Sequence, residues 1–170
     1  ILVFSPFIIL VSLASLIVWR GRDPVFDHQI RVGKDGRTFR VHKFRSMVTD
    51  AESDGVARWA STNDARVTML GAFIRKTRLD EIPQLFNVLR GDMSLVGPRP
   101  ERPEFVQELE KAIPYYRERH RMKPGLTGWA QLRYQYGSTL DDAKQKLQYD
   151  LYYVKNANMF LELVVLMETV

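Results

Sequence analysis

The sequence predicts an α+β fold, mainly helical, that begins with an apolar membrane helix; three features carry this reading. Residues 1–19 contain no charge at all. Residues 24–47 alternate apolar and polar side chains around Gly33-Lys34-Asp35-Gly36, the pattern of a short hairpin with a glycine-containing turn. Later segments repeat apolar side chains at three- and four-residue steps, which is the helical period. With 170 residues, 45% of them apolar, the chain can build one sizeable core.

The uncharged segment is long for a soluble helix and close to the lower limit for crossing a bilayer, at about 1.5 Å of rise per residue. Ser5-Pro6 interrupts it. A proline inside a helix removes one hydrogen bond and crowds the preceding turn, so a bend is expected there, with the Ser5 hydroxyl a suitable partner for the freed carbonyl. Either a kinked spanning helix or a helix that turns at Ser5-Pro6 and leaves by the same face would satisfy this. On spacing alone the spanning form is the expectation. A cleaved signal peptide fits poorly, because no basic segment precedes the stretch. The opening without methionine, directly on apolar sequence, suits a piece of a longer chain. The expected division is an embedded segment over 1–19 and a catalytic body over 20–170, with 157–170 suited to the membrane interface.

Beyond the hairpin, residues 47–60 form a polar connection. From Asp64 a helical pattern places Val67, Leu70, Phe73 and Ile74 on one side. A shorter helix is expected from Asp80 to Leu89, stopped by Gly91. Pro98, Pro100 and Pro103 stiffen a loop, after which Phe105, Leu109, Ala112 and Tyr116 mark another helix. Residues 123–129 form a loop with two glycines, and Leu140, Ala143, Leu147, Asp150 and Val154 form the seam of one further helix.

Composition excludes several chemistries. Without cysteine there is no disulfide, thiolate or cysteine-based zinc site. His28, His42 and His120 are scattered and lack a metal-ligand spacing. Any metal would be a hard cation held by carboxylates and phosphates, which points to magnesium. Between Arg20 and Arg45 eight basic residues face three acids, an excess equal to the whole net charge of +5. That cluster follows the apolar segment directly, which places the body on the cytoplasmic face beside anionic membrane lipids. No aromatic-interleaved groove accompanies it, so nucleic acid is not an expected partner.

Three groups of residues suit phosphate chemistry. Asp80-Glu81 lie at a helix start, since Pro83 fits only a first turn; they are either a capping pair or a metal-phosphate site. Arg75 and Arg78 just before them, and Arg99 after, favour the second, with Asp80 and Glu81 as the metal ligands. Gly97-Pro98-Arg99-Pro100 fixes the main chain on both sides of one arginine, which lowers the entropy lost when its guanidinium grips a phosphate. Asp150 sits at a buried seam position, either paired with an arginine or turned towards a site. Lys43 and Arg45 share one face of the hairpin and are further candidates. Trp129 either stacks a nucleobase or fills the core.

Taken together these motifs resemble the bacterial sugar transferase family, the monotopic polyprenyl-phosphate phosphoglycosyl transferases. The matching stretches are Ser5-Pro6, Pro24-Val25-Phe26, Arg31 to Gly36 and Lys43-Phe44-Arg45-Ser46-Met47. They continue through Arg78 to Val88, Gly91 to Pro100 and Lys123 to Gln131, in order along nearly the whole chain. The resemblance implies that the apolar helix is re-entrant, reversing the expectation from spacing. It implies that Asp80 is a nucleophile attacking the β-phosphate of a UDP-sugar, releasing UMP, with Glu81 managing the proton and magnesium at Asp80. Polyprenyl (undecaprenyl) phosphate would then take the phosphosugar. Lys43, Arg99 and Asp150 match further functional positions, Arg99 as a phosphate ligand. The continuation after Arg99 and the segment 147–153 look like members that serve exopolysaccharide export, in the bacterial inner membrane. Glucose, galactose and an N-acetylated sugar all fit, and the oligomeric state is open. Two rival readings remain: a magnesium-dependent phosphotransferase without a covalent step, and a non-enzymatic adaptor whose basic hairpin binds anionic lipid.

Overall fold

The computed structural model describes residues 5–18, 24–53, 55, 58, 64–134, 137 and 139–169. They form two compact units, one built from 1–29 and 41–86, the other from 30–40 and 87–170.

The first unit opens with α1 (Ser5–Val18). Its Ile, Leu, Val and Phe run gives no reason to stop, and Pro6 falls in the first turn, where its missing N–H has no helical partner to lose. The helix is therefore continuous from Ser5, and the expected bend at Ser5-Pro6 would involve residues 1–4, which lie outside the described residues. With 14 residues, α1 is about 21 Å long. Among the described residues, no helix is long and apolar enough to cross a membrane. Val11 is buried with Phe44 and Ile74, and Ile8, Val25, Leu70 and Leu79 pack around them.

The hairpin pairs β1 (Phe26–Val32) with β2 (Thr38–Phe44). Gly33 N–H donates to Arg37 O at 2.8 Å, and the turn uses positive φ at Asp35 and Gly36. At the base of the hairpin Phe26 stacks on Phe44, with ring centroids 5.2 Å apart. The next helix, α2 (Met69–Lys76), starts later than its apolar spacing suggests, because Thr68 caps it by accepting from Gly71 N–H at 2.9 Å. Val67 is consequently outside the helix and bridges Met47 in an antiparallel pair. Phe73 points to solvent, while Ile74 is fully buried. Gly71 has a packing reason: a Cβ there would strike the carbonyl oxygen of Ser46. The expected helix from Asp80 divides into a 3-10 turn, Leu79–Gln84, and α3 (Leu85–Arg90), with Gly91 at positive φ as the stop.

The second unit contains two short strands, one in the 123–129 stretch expected to be a loop and one in a stretch to which the spacing assigns no element. β3 (Ser94–Val96) and β4 (Gly125–Thr127) pair in parallel, Ser94 opposite Gly125 and Val96 opposite Thr127. The pairing brings main chain onto main chain, so that a Cβ on Gly125 would meet the Gly97 nitrogen. α4 (Pro103–Ala112) ends before Tyr116, which instead opens a separate 3-10 segment, Tyr116–Arg121, after Tyr115 adopts a left-handed φ of 62°. α5 (Trp129–Arg133), α6 (Leu140–Asn156) and α7 (Met159–Thr169) complete the unit. A capping box between Thr139 and Asp142 starts α6. Val96, Tyr153 and Val165 form the buried core, surrounded by Met122, Trp129, Leu132, Ala157, Leu161 and Leu166. In α6 it is Tyr153, one position before the expected Val154, that is buried.

Candidate functional site

In the first unit α2 ends at Lys76, and the chain reverses through Arg78, whose φ of 57° is left-handed. Such a conformation costs a non-glycine residue on the order of 1 kcal/mol and clusters at functional sites. The reversal delivers Asp80 and Glu81 into the first turn of the 3-10 segment, with Pro83 one turn further on than the sequence suggested. Asp80 is 8% exposed, an unusual degree of burial for a carboxylate. Glu81 lies 3.9 Å from the Arg78 guanidinium. Arg75 donates through Nε to Ser46 Oγ at 2.7 Å, which ties the end of α2 to the strand exit. Lys43 is half-buried in β2. Arg45, just past β2, donates through Nε to Pro24 O at 2.9 Å, so one of its donors is committed locally.

Among the described residues, no group of three His, Cys, Asp or Glu side chains could hold a metal ion. Two neighbouring carboxylates, Asp80 and Glu81, suit a magnesium ion that draws its remaining ligands from phosphate and water. They do not suit a zinc-like cage. The hairpin does bring two histidines together that looked scattered: Nδ1 of His28 and Nδ1 of His42 are 3.1 Å apart.

In the second unit the two remaining candidates, Arg99 and Asp150, connect through a residue the sequence reading passed over. Arg119 is buried, and its Nε and Nη2 both reach Asp150 Oδ2, at 2.9 and 2.8 Å. Its Nη1 donates to Tyr116 Oη at 3.2 Å, and Nη2 also donates to the main-chain oxygen of Arg99 at 2.8 Å. Asp150 is thus the buried partner of an arginine, the first of the two alternatives. Burial pushes its carboxyl upward, opposed by the Arg119 charge and hydrogen bond. Burial likewise pushes the Tyr116 phenol up to about 12, against the pull of Arg119. A cleft of about 10 Å³, room for one water, is lined by Gly33, Arg99, Arg119 and His120 among others.

Trp129 takes its structural alternative. It stacks on Tyr152 at 6.0 Å, carries the Arg133 guanidinium 4.2 Å from its ring centre and packs on the Val96–Tyr153–Val165 core.

Residues 1–170 match the family described as bacterial sugar transferase, and the chain belongs to that family. It is 46% identical over 167 residues to the UDP-N-acetylgalactosamine-undecaprenyl-phosphate N-acetylgalactosaminephosphotransferase of Aeromonas hydrophila, covering 98% of this chain and 39% of that protein. It is 43% identical over 175 residues to the undecaprenyl-phosphate glucose phosphotransferase of Komagataeibacter xylinus, covering 100% of this chain and 32% of that protein. With the exopolysaccharide production protein PSS of Rhizobium leguminosarum bv. phaseoli it shares 42% identity over 176 residues, 100% of this chain and 86% of that protein. The chain therefore spans about two-fifths of the first relative, about a third of the second and most of the third.

Proposed function

We propose that this chain transfers a sugar-1-phosphate from a UDP-sugar to undecaprenyl phosphate, releasing UMP, through a phosphosugar held on Asp80. The observation that supports it most is the placement of Asp80. It is a nearly buried carboxylate on a turn forced by a strained Arg78, in a chain that belongs to this family along its whole length. The names of the relatives supply the donor and acceptor classes, with N-acetylgalactosamine and glucose among the sugars.

In the first step an Asp80 carboxylate oxygen bonds to the β-phosphorus of the UDP-sugar. The bond from that phosphorus to the oxygen bridging the two phosphates breaks, and UMP departs with the bridging oxygen and the electron pair. In the second step a phosphate oxygen of the lipid attacks the same phosphorus, and the acyl-phosphate bond to Asp80 breaks, restoring the carboxylate. Glu81 accepts any proton carried by the lipid phosphate. Splitting one transfer into two in this way is nucleophilic catalysis, with partial burial keeping water from the acyl phosphate. Magnesium, when bound by Asp80 and Glu81, screens the repulsion between carboxylate and diphosphate. Arg99 is a phosphate ligand, and Arg75, Arg78, Lys43 and Arg45 raise the local positive potential. The membrane reading rests on α1, where Ile9, Leu10, Leu13 and Ile17 all face outward.

The test is UMP release by detergent-solubilised protein with magnesium, undecaprenyl phosphate and a panel of UDP-sugars. Wild type is expected to release UMP from at least one donor, and Asp80→Asn to be slower by at least about 10³-fold. Equal release from both proteins would sink the Asp80 mechanism.

A further inference from the structure

Every carbonyl from Pro98 to Glu101 is held by a hydrogen bond. Pro98 O accepts from Gly125 N–H at 3.0 Å, and Glu101 O accepts from Val32 N–H at 2.9 Å. Between them, Pro100 O accepts from Arg31 Nη1 at 3.2 Å, and Arg99 O accepts from Arg119 Nη2 at 2.8 Å. The clamp on Arg99 itself thus comes from a side chain. That side chain is in turn fixed on three sides, by Asp150 at both Nε and Nη2, by the Tyr116 hydroxyl at Nη1, and by the Tyr116 ring 5.2 Å from its guanidinium carbon.

A buried arginine–aspartate pair is a poor device for stability alone. The desolvation of both charges cancels much of their attraction, and an apolar pair of similar volume often does as well. What such a pair supplies is fixed direction: the planar guanidinium fork holds several acceptors at set angles. The 3-10 segment Tyr116–Arg121 contributes to this, since its three-residue period sets Tyr116 and Arg119 on one inward side.

We propose that Arg119 is a positioning residue. Locked by Asp150 and Tyr116, it holds the main chain of Arg99 so that the Arg99 guanidinium presents to a phosphate of the nucleotide-sugar donor, and Asp150 acts through Arg119 without touching substrate. The proposal rests on the reading of Arg99 as a phosphate ligand, and the experiment separates the two.

The experiment is a double-mutant cycle in the full chain in detergent, reading kcat and KM for the UDP-sugar that the panel identifies. Arg119→Lys keeps the charge and removes the fork. It is expected to lower kcat/KM about 10-fold or more, mainly through KM, while the thermal midpoint of the surviving folded protein stays within a few degrees of wild type. In an Arg99→Ala background the same change should alter kcat/KM less than about twofold, because the residue it positions is gone. A purely structural Arg119 would lower activity by the same factor in both backgrounds, and that result overturns the proposal. An unchanged kcat/KM for Arg119→Lys with Arg99 present overturns it too. If Arg99→Ala alone keeps wild-type kcat/KM, the phosphate-ligand reading fails first and the proposal falls with it. Should Arg119→Lys fail to fold, Tyr116→Phe removes one contact to the fork without a change of charge. It should then show the same background dependence with a smaller effect, and an equal factor in both backgrounds again counts against positioning.

Discussion

His120 shows how strongly burial acts on single residues in this protein. It is 6% exposed, and neither ring nitrogen has a hydrogen-bond partner. Burial, then the charges of Arg119 and Arg117, lower its pKa from 6.5 to about 4. The Glu110 carboxylate, 3.9 Å from Nδ1, pulls the other way and loses. The unfolded chain therefore takes up the proton first as pH falls. The neutral ring contributes its full stability above about pH 6.5, and that contribution is lost progressively down to about pH 4. The stake is roughly 2–3 kcal/mol. Urea unfolding at pH 7, 6 and 5 should show stability falling, and His120→Phe should flatten the His-dependent part of the slope. An identical slope in the variant would show that the ring is not buried neutral. At this scale the sequence was partly legible. Asp150 stood out because an acid interrupted an apolar seam. Arg119 did not, because it lies inside Arg117-Glu118-Arg119-His120-Arg121, a run that reads as solvated. Only the 3-10 geometry turns two of those five residues inward.

At the scale of elements, legibility followed length and chemistry. The hairpin was readable because seven-residue strands show their alternation and Gly33 and Gly36 mark the turn. β3 and β4 have three residues each, too few to display a period, and are held by their register and by the contact between Gly97 and Gly125. Gly125→Ala should therefore cost about 2–4 kcal/mol, read as a lower urea midpoint, although an alanine in an ordinary loop would cost almost nothing. A wild-type midpoint would mean that the strands are not closely apposed. α1 makes a second contrast. Val11 is buried against Phe44 and Ile74, while Leu10 next to it is 65% exposed. Val11→Ala is expected to lower stability in detergent by about 1–2 kcal/mol. Leu10→Ala should leave stability alone and weaken co-sedimentation with anionic lipid vesicles. If both variants behaved alike in both assays, α1 would not have one face in the fold and another outside it.

For the molecule as a whole, the α+β reading and the family follow from motifs spread along the entire chain, but the roles of the candidate residues divide. Six of them (Lys43, Arg45, Arg75, Arg78, Asp80 and Glu81) belong to the first unit, and two, Arg99 and Asp150, to the second. Four of the eight break a local pattern: Asp80 and Glu81 as acids before a proline, Arg99 as an arginine between prolines, Asp150 as a charge in a seam. Arg75 and Arg78 are candidates because they lie just before the acids, and Lys43 and Arg45 because they share one face of the hairpin. The sequence did not show that Asp150 is occupied by Arg119, because that contact joins residues 31 positions apart. A phosphosugar carried on Asp80 is a species that can be weighed. Wild-type protein incubated with its UDP-sugar and magnesium, with the lipid acceptor left out, should release about one equivalent of UMP per active site. Rapid acid quench and peptide mass spectrometry should then find a sugar-phosphate mass on the peptide carrying Asp80, absent in Asp80→Asn and discharged when undecaprenyl phosphate is added. UMP release that strictly requires the acceptor, with no adduct on that peptide, would rule out a covalent Asp80 intermediate.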